Sequence, residues 1–180
     1  MMYTYPTDII FSEQHKNEML QSAINGSWKN HTSHYSGTNQ PYQVIADYTG
    51  QWTIDDSIYR AKEIVTKRIK EPAAIYVMRL PPWKDMHIHT DTYTKPNEYR
   101  RTILMTLLSP RNFKEETRLE YYKEDKTTIE EKYIYDERSV VTNPIPFHRC
   151  FNQTPEWRYS LQITFRDDYE DILKILNKNE

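Results

Sequence analysis

The segment His87-Ile88-His89-Thr90-Asp91 carries three side chains able to hold a metal at alternate positions. In an extended strand His87, His89 and Asp91 share one face, and Ile88 and Thr90 take the other. Two imidazoles and a carboxylate are costly in a dry core and suit a cavity where a ligand answers them. An H-x-D pair alone is common and reads more readily as a solvated edge strand, so its weight depends on what lies downstream. His148 comes 57 residues after Asp91, and Arg158 ten residues after His148. Arg158 opens the alternating stretch WRYSLQITF (157–165). Trp157, Tyr159, Leu161, Ile163 and Phe165 fall on one face and must pack against something. Arg158, Ser160, Gln162 and Thr164 fall on the other, where a guanidinium fork and a hydroxyl could hold a carboxylate.

These residues need a scaffold, and the hydrophobic period supplies one. From Ala73 onward apolar residues alternate at period two. Strands are expected at 74–80, 86–91, 101–108, 118–123, 131–135, 138–143, 146–150 and 157–165. Eight short strands with no helical pattern between them predict a sandwich or barrel. Helical signals flank this region. Ser12 is placed to cap a helix through EQHKNEMLQSAI. Asp55 and Asp56 open another, with Ile58, Ala61, Val65 and Ile69 as its apolar stripe, and Glu71-Pro72 ends it. DDYEDILKILNK puts acids first, lysine last and Tyr169, Ile172, Leu173 and Leu176 on one face. Residues 25–53, rich in Asn, Ser, Thr, Gly and Tyr, read as a long loop with short extended pieces. The expected organisation is a single domain over 1–180: a helical and loop buttress over 1–70, a β core over 74–165 and a C-terminal helix over 166–180.

Composition narrows the chemistry. The chain has 180 residues, enough to bury a core without staples, and 13% aromatics to fill it. Its 24 Lys and Arg against 26 Asp and Glu leave a net charge of −2, which gives no electrostatic bias towards nucleic acid or an anionic membrane. The single cysteine, Cys150, excludes an internal disulfide framework and a multi-cysteine zinc site. With no long apolar run and no signal-peptide pattern, the expected compartment is a reducing cytoplasm, where the sequons at Asn25, Asn30 and Asn152 carry no meaning. The only glycines are Gly26, Gly37 and Gly50, so a Walker loop, a G-x-G-x-x-G fingerprint and a G-x-S-x-G elbow are all absent.

The order His89-x-Asp91, a distant His148, then Arg158-x-Ser160 resembles the Fe(II)/2-oxoglutarate-dependent dioxygenases. The likeness covers about residues 74–166, and the wording HIHTD, then Arg101 opening a hydrophobic strand, then a late FH and RYS, is close to prolyl-hydroxylase-like and aspartyl/asparaginyl-β-hydroxylase-like members. The resemblance implies a double-stranded β-helix, a cupin-like jelly roll with flanking helices. It implies that His89, Asp91 and His148 form a facial triad for Fe(II), leaving positions for 2-oxoglutarate and O2. Arg158 and Ser160 would then hold the far carboxylate of 2-oxoglutarate. Decarboxylation of that co-substrate to succinate would accompany hydroxylation of an unactivated C–H bond, on an amino-acid or peptidyl substrate. The carboxylate of Asp91 disfavours halogenation, for which related enzymes free that position. Two features depart from the family: no glycine stands near Thr117-Arg118-Leu119, and the strand after H-x-D, TILMTLL, lacks the tyrosine that often helps hold 2-oxoglutarate. Tyr121 or Tyr122 could take that part.

Other residues divide between chemistry and structure. His87 is expected beside the metal or lining the pocket, Trp83 at the entrance or in the core, and Asn143 and Asn152 orienting His148 or making turns. Cys150 shares the strand face of His148 and reads as a buried thiol. Arg100 and Arg101 could reach a substrate anion. His15, His31 and His34 read as surface residues, and the loop TSHYSGTNQPY as a candidate lid. The competing functions are a cupin-like jelly roll that binds metal or ligand without oxygenase activity and, on its tyrosines alone, an interaction domain for protein or nucleic acid.

Overall fold

Helix α1 (Glu13–Ile24) starts where Ser12 caps it, its hydroxyl oxygen accepting the His15 amide at 3.2 Å. This computed structural model describes residues 2–26, 29–32, 39–47, 56–91, 102–111 and 115–178, with the backbone alone for 29–32 and 39–47. Asp55, His34, Arg100, Arg101 and the centre of the candidate lid lie outside the described residues, as does the side chain of His31. Helix α2 (Asp56–Arg68) buries Ile58, Ala61 and Val65, three of the four stripe residues, and Ile69 just beyond its end is buried too. Helix α3 (Tyr169–Lys178) buries Tyr169, Ile172 and Leu176, with Glu170 and Asp171 in its first turn complementing the helix dipole.

Among the described residues, ten strands form two antiparallel sheets. In chain order they are β1 (Thr4–Pro6), β2 (Lys29–Thr32), β3 (Asn39–Asp47), β4 (Ala74–Leu80), β5 (Thr102–Ser109), β6 (Leu119–Tyr122), β7 (Ile129–Tyr133), β8 (Val140–Thr142), β9 (Phe147–Cys150) and β10 (Arg158–Phe165). The larger sheet runs β1-β8-β5-β10-β4-β3-β2 and the smaller β7-β6-β9. The N-terminal third therefore contributes sheet as well as helix, because β1 extends one edge and the β2–β3 hairpin the other. Strand β10 lies at the middle, with Leu161 opposite Val77 of β4 and Thr106 of β5.

The alternation of the central strands creates two cores. Leu161, Ile163 and Phe165 of β10, Ile75 and Val77 of β4 and Leu104 and Leu108 of β5 join Ile58, Val65, Ile172 and Leu176 beneath the helices. The residues between them, Tyr76, Met78 and Leu80 of β4 with Ile103, Met105 and Leu107 of β5, turn the other way. There they meet Leu119, Tyr121 and Cys150 of the smaller sheet. Two facing antiparallel sheets with helices on the outside of one make a jelly roll with flanking helices: the sandwich that the strand count predicts, in the form that the resemblance implies. The polar side chains on the second face of β10 consequently point into the space between the sheets.

Candidate metal centre and anion site

Segment 86–91 does not form a regular strand. His89 makes a single antiparallel bridge with His148 of β9, through His89 N–H to the His148 carbonyl at 3.0 Å and His148 N–H to the His89 carbonyl at 2.8 Å. The next bond back joins the Met86 amide to the Cys150 carbonyl at 2.9 Å. The four residues 86–89 thus face the three residues 148–150, and the extra residue breaks the period of two. Met86 and His89 both line the pocket between the sheets, while the His87 ring is turned out to an exposed position. Strict alternation had put His87 on the face of His89, and this irregularity is the reason it is not there.

His89, Asp91 and His148 converge, each offering a ligand atom within 4.8 Å of the other two. His89 Nε2 lies 3.6 Å from Asp91 Oδ1, and the two imidazole rings are 4.5 Å apart between centroids. Both rings are oriented by the same local device. Nδ1 of His89 lies 2.7 Å from the carbonyl oxygen of His87, and Nδ1 of His148 lies 2.9 Å from that of Pro146. A carbonyl can only accept, so Nδ1 carries the proton in each ring and Nε2 presents a lone pair. Burial, reinforced by the neighbouring His89, lowers the pKa of His148 to about 4 against the smaller pull of Asp91. His148 is therefore neutral at physiological pH, the state in which imidazole ligates a metal. The Asp91 amide donates to the Pro144 carbonyl at 2.9 Å and ties this ligand to the turn before β9.

Arg158 is fully buried, and none of its three guanidinium nitrogens has a hydrogen-bond partner among the described residues. The hydroxyl of Ser160, on the same face of β10, is likewise buried and unpartnered. The guanidinium lies over the ring of Tyr135, 5.1 Å from its centroid. A buried, unpaired cation costs several kcal/mol, so the strand tolerates here what a core would exclude. An arginine and a hydroxyl side by side fit one class of ligand, an acceptor-only anion such as a carboxylate. Arg158 and Ser160 do not line the pocket that holds the histidines; Met105, Leu119, Tyr121 and Cys150 do.

The remaining expectations resolve individually. Tyr121 lines the pocket with its ring 5.7 Å from that of His148, whereas Tyr122 points to the opposite face and donates to Glu120. Cys150 is a free, buried thiol in the pocket wall. Asn152 spends its side-chain amide on the carbonyls of Leu80, Pro81 and Glu156, so it clamps a turn instead of orienting His148. Asn143 likewise serves a turn, accepting the Ile145 amide at 3.1 Å. Trp83 is 65% exposed and is not in the pocket wall. His15 is buried, not superficial: its Nε2 lies 2.6 Å from the Ser57 carbonyl and joins α1 to α2.

No protein-family model matches the chain, and no curated protein matches it either. Solved structures do. A 2OG-Fe(II) oxygenase family oxidoreductase from Burkholderia pseudomallei superposes with a TM-score of 0.63 at 12% identity, covering 92% of this chain and 85% of that one. The fold is that of the 2OG-Fe(II) oxygenases. A Trichoplax adhaerens prolyl hydroxylase, in complex with a hypoxia inducible factor peptide fragment, gives 0.63 at 13% identity over 95% of this chain and 86% of that one. The viral collagen prolyl hydroxylase of Paramecium bursaria Chlorella virus-1, in its 2OG complex, gives 0.56 at 12% identity over 91% and 95%. At these identities the 2OG-Fe(II) oxygenase likeness is one of fold. Among the described residues no helix is long and apolar enough to cross a membrane.

Proposed function

We propose that this protein is an Fe(II)- and 2-oxoglutarate-dependent hydroxylase acting on an amino-acid or peptidyl substrate. One observation carries the reading: a buried Arg158 and Ser160 without partners lie on the inner face of β10, in the same inter-sheet space as three converging metal-capable side chains. His89 and His148 would hold iron through Nε2, with their Nδ1 protons kept on the His87 and Pro146 carbonyls. Asp91 would supply the carboxylate ligand. Arg158 and Ser160 would receive the far carboxylate of 2-oxoglutarate and so aim its keto-acid end at the metal. Iron, with 2-oxoglutarate and O2, supplies the oxidation of an unactivated C–H bond; the chain's part is to bind, orient and exclude water. The peptide bound by the Trichoplax adhaerens neighbour supports a peptidyl substrate by analogy of fold.

A second reading, a cupin-like jelly roll that binds metal without a co-substrate, draws on the wall of Met105, Leu119 and Cys150 beside the histidines, which leaves Arg158 outside their pocket. Anaerobic titration of Fe(II) and 2-oxoglutarate separates the two. The hydroxylase predicts a weak visible charge-transfer band that disappears in Asp91→Ala and Arg158→Ala. Metal binding with no band and no effect of 2-oxoglutarate would favour the second reading and withdraw the first.

A further inference from the structure

We propose that Tyr121 and Tyr3 form an electron path from the metal centre to the protein surface, and that the Glu130 carboxylate takes the proton Tyr3 gives up when it is oxidised. The path would spare the pocket when peroxide is reduced there with no substrate in place. The inference rests on the reading of His89, Asp91 and His148 as an iron site.

The rings of His89, His148, Tyr121 and Tyr3 form a chain of contacts. Between centroids, His148 is 4.5 Å from His89, Tyr121 is 5.7 Å from His148, and Tyr3 is 5.0 Å from Tyr121. These are contact spacings for aromatic pairs, so an electron can cross each gap. The two tyrosines differ in what surrounds them. Tyr121 is buried, and its hydroxyl lies beside that of Thr142, which is no base. Tyr3 is half-buried, and its hydroxyl donates to Glu130 Oε2 at 3.0 Å. Glu131 accepts the Tyr3 amide and the Thr4 hydroxyl, so it fixes the Tyr3 backbone and adds a second negative charge. A phenol that has lost an electron is a strong acid and comes to rest only where a base can take its proton. Tyr3 has that base at hydrogen-bond distance, and the gradient therefore runs outward.

Hydrogen peroxide reduced by ferrous iron supplies the one-electron oxidant of Tyr121. The oxidised Tyr121 takes one electron from Tyr3 and is restored as a phenol. Tyr3 passes its hydroxyl proton to Glu130, which leaves a neutral phenoxyl radical beside a carboxylic acid. A thiol or ascorbate in solution returns one hydrogen atom to the phenoxyl oxygen, and Glu130 releases its proton to water.

The test loads the protein with Fe(II) or with Zn(II), adds hydrogen peroxide without substrate or 2-oxoglutarate, and freezes the sample for electron paramagnetic resonance. Peptide mass spectrometry then locates added oxygen. A tyrosyl radical is expected with Fe(II) and none with Zn(II). Tyr3→Phe should lose that signal and collect oxygen on Tyr121. Tyr121→Phe keeps Tyr3 in place, yet should also lose the signal and shift added oxygen to Met105 and Cys150 in the pocket wall. Glu130→Gln should lower the yield of the Tyr3 radical. A signal of wild-type size in Tyr121→Phe would mean that Tyr3 is oxidised from solution and would overturn the proposal. So would an equal signal with Zn(II). If the wild type retains Fe(II) after desalting and peroxide oxidises the pocket without a tyrosyl radical, this inference alone fails. If His148→Gln retains as much iron as the wild type, the reading of the iron site fails with it.

Discussion

Arg158, on the function proposed for it, sets binding against stability. Its charge is buried without a counter-ion among the described residues, at a cost that recurs in every folded molecule. Arg158→Met fills similar space without the charge. Metal-free Arg158→Met should therefore resist urea better than the wild type, by about 1–4 kcal/mol. The same variant should lose the stabilisation that saturating 2-oxoglutarate gives the wild type, which for a single site at a hundredfold excess over Kd is about 2.7 kcal/mol. Equal or lower stability in the metal-free variant would mean that the guanidinium has a partner after all. The histidines make a different point. Each ring is steered by the carbonyl two residues before it, so His89→Gln or His148→Gln should abolish metal uptake while leaving the far-ultraviolet circular dichroism unchanged.

At the level of elements, the outer face of β6 and β9 is held by charge. Glu120 is buried between Arg118, at 2.6 Å, Arg149, at 3.6 Å, and the Tyr122 hydroxyl. Burial alone would raise its pKa, but the Tyr122 and Arg118 hydrogen bonds outweigh it and hold the carboxyl below its ordinary value. A depressed carboxyl stabilises the fold above its unfolded pKa and loses that contribution as pH falls through the folded value. Wild-type stability should thus fall below about pH 4 more steeply than that of Glu120→Gln, and the variant should be the less stable of the two at pH 7. Chemical denaturation across pH 3–7 checks both statements. Elements also mark where the sequence was readable. The period of two located β4 and β10 to within a residue, and polarity opposite Leu161 and Ile163 placed Arg158 and Ser160 on the inner face. The helix stripes were legible for the same reason. What period could not carry was irregularity: one extra residue between Met86 and His89 turned His87 outward, and no residue type announces it. Strand β1 was also missed, since Thr4–Pro6 is too short to show a period.

In the whole molecule, the larger sheet is a wall with a core on each side, and the two sides answer to different demands. Ile172→Ala, under the helices, and Leu119→Ala, between the sheets, each remove a buried branched side chain and should each cost about 2–5 kcal/mol. Only Leu119→Ala should also change Fe(II) and 2-oxoglutarate affinity, because Leu119 borders the histidine pocket. Matched denaturation and binding titrations on the pair would test that separation; parallel losses of affinity would refute it. The alternation of β10 carries a consequence for how much sequence the fold requires. Half its residues need only be apolar and of fitting volume, so they can drift freely among Leu, Ile, Val and Phe. The other half face the space between the sheets, but they are few and scattered between interchangeable neighbours. A chain built this way can retain its shape while its spelling diverges, and a likeness of fold is then visible in coordinates where the alphabet shows little.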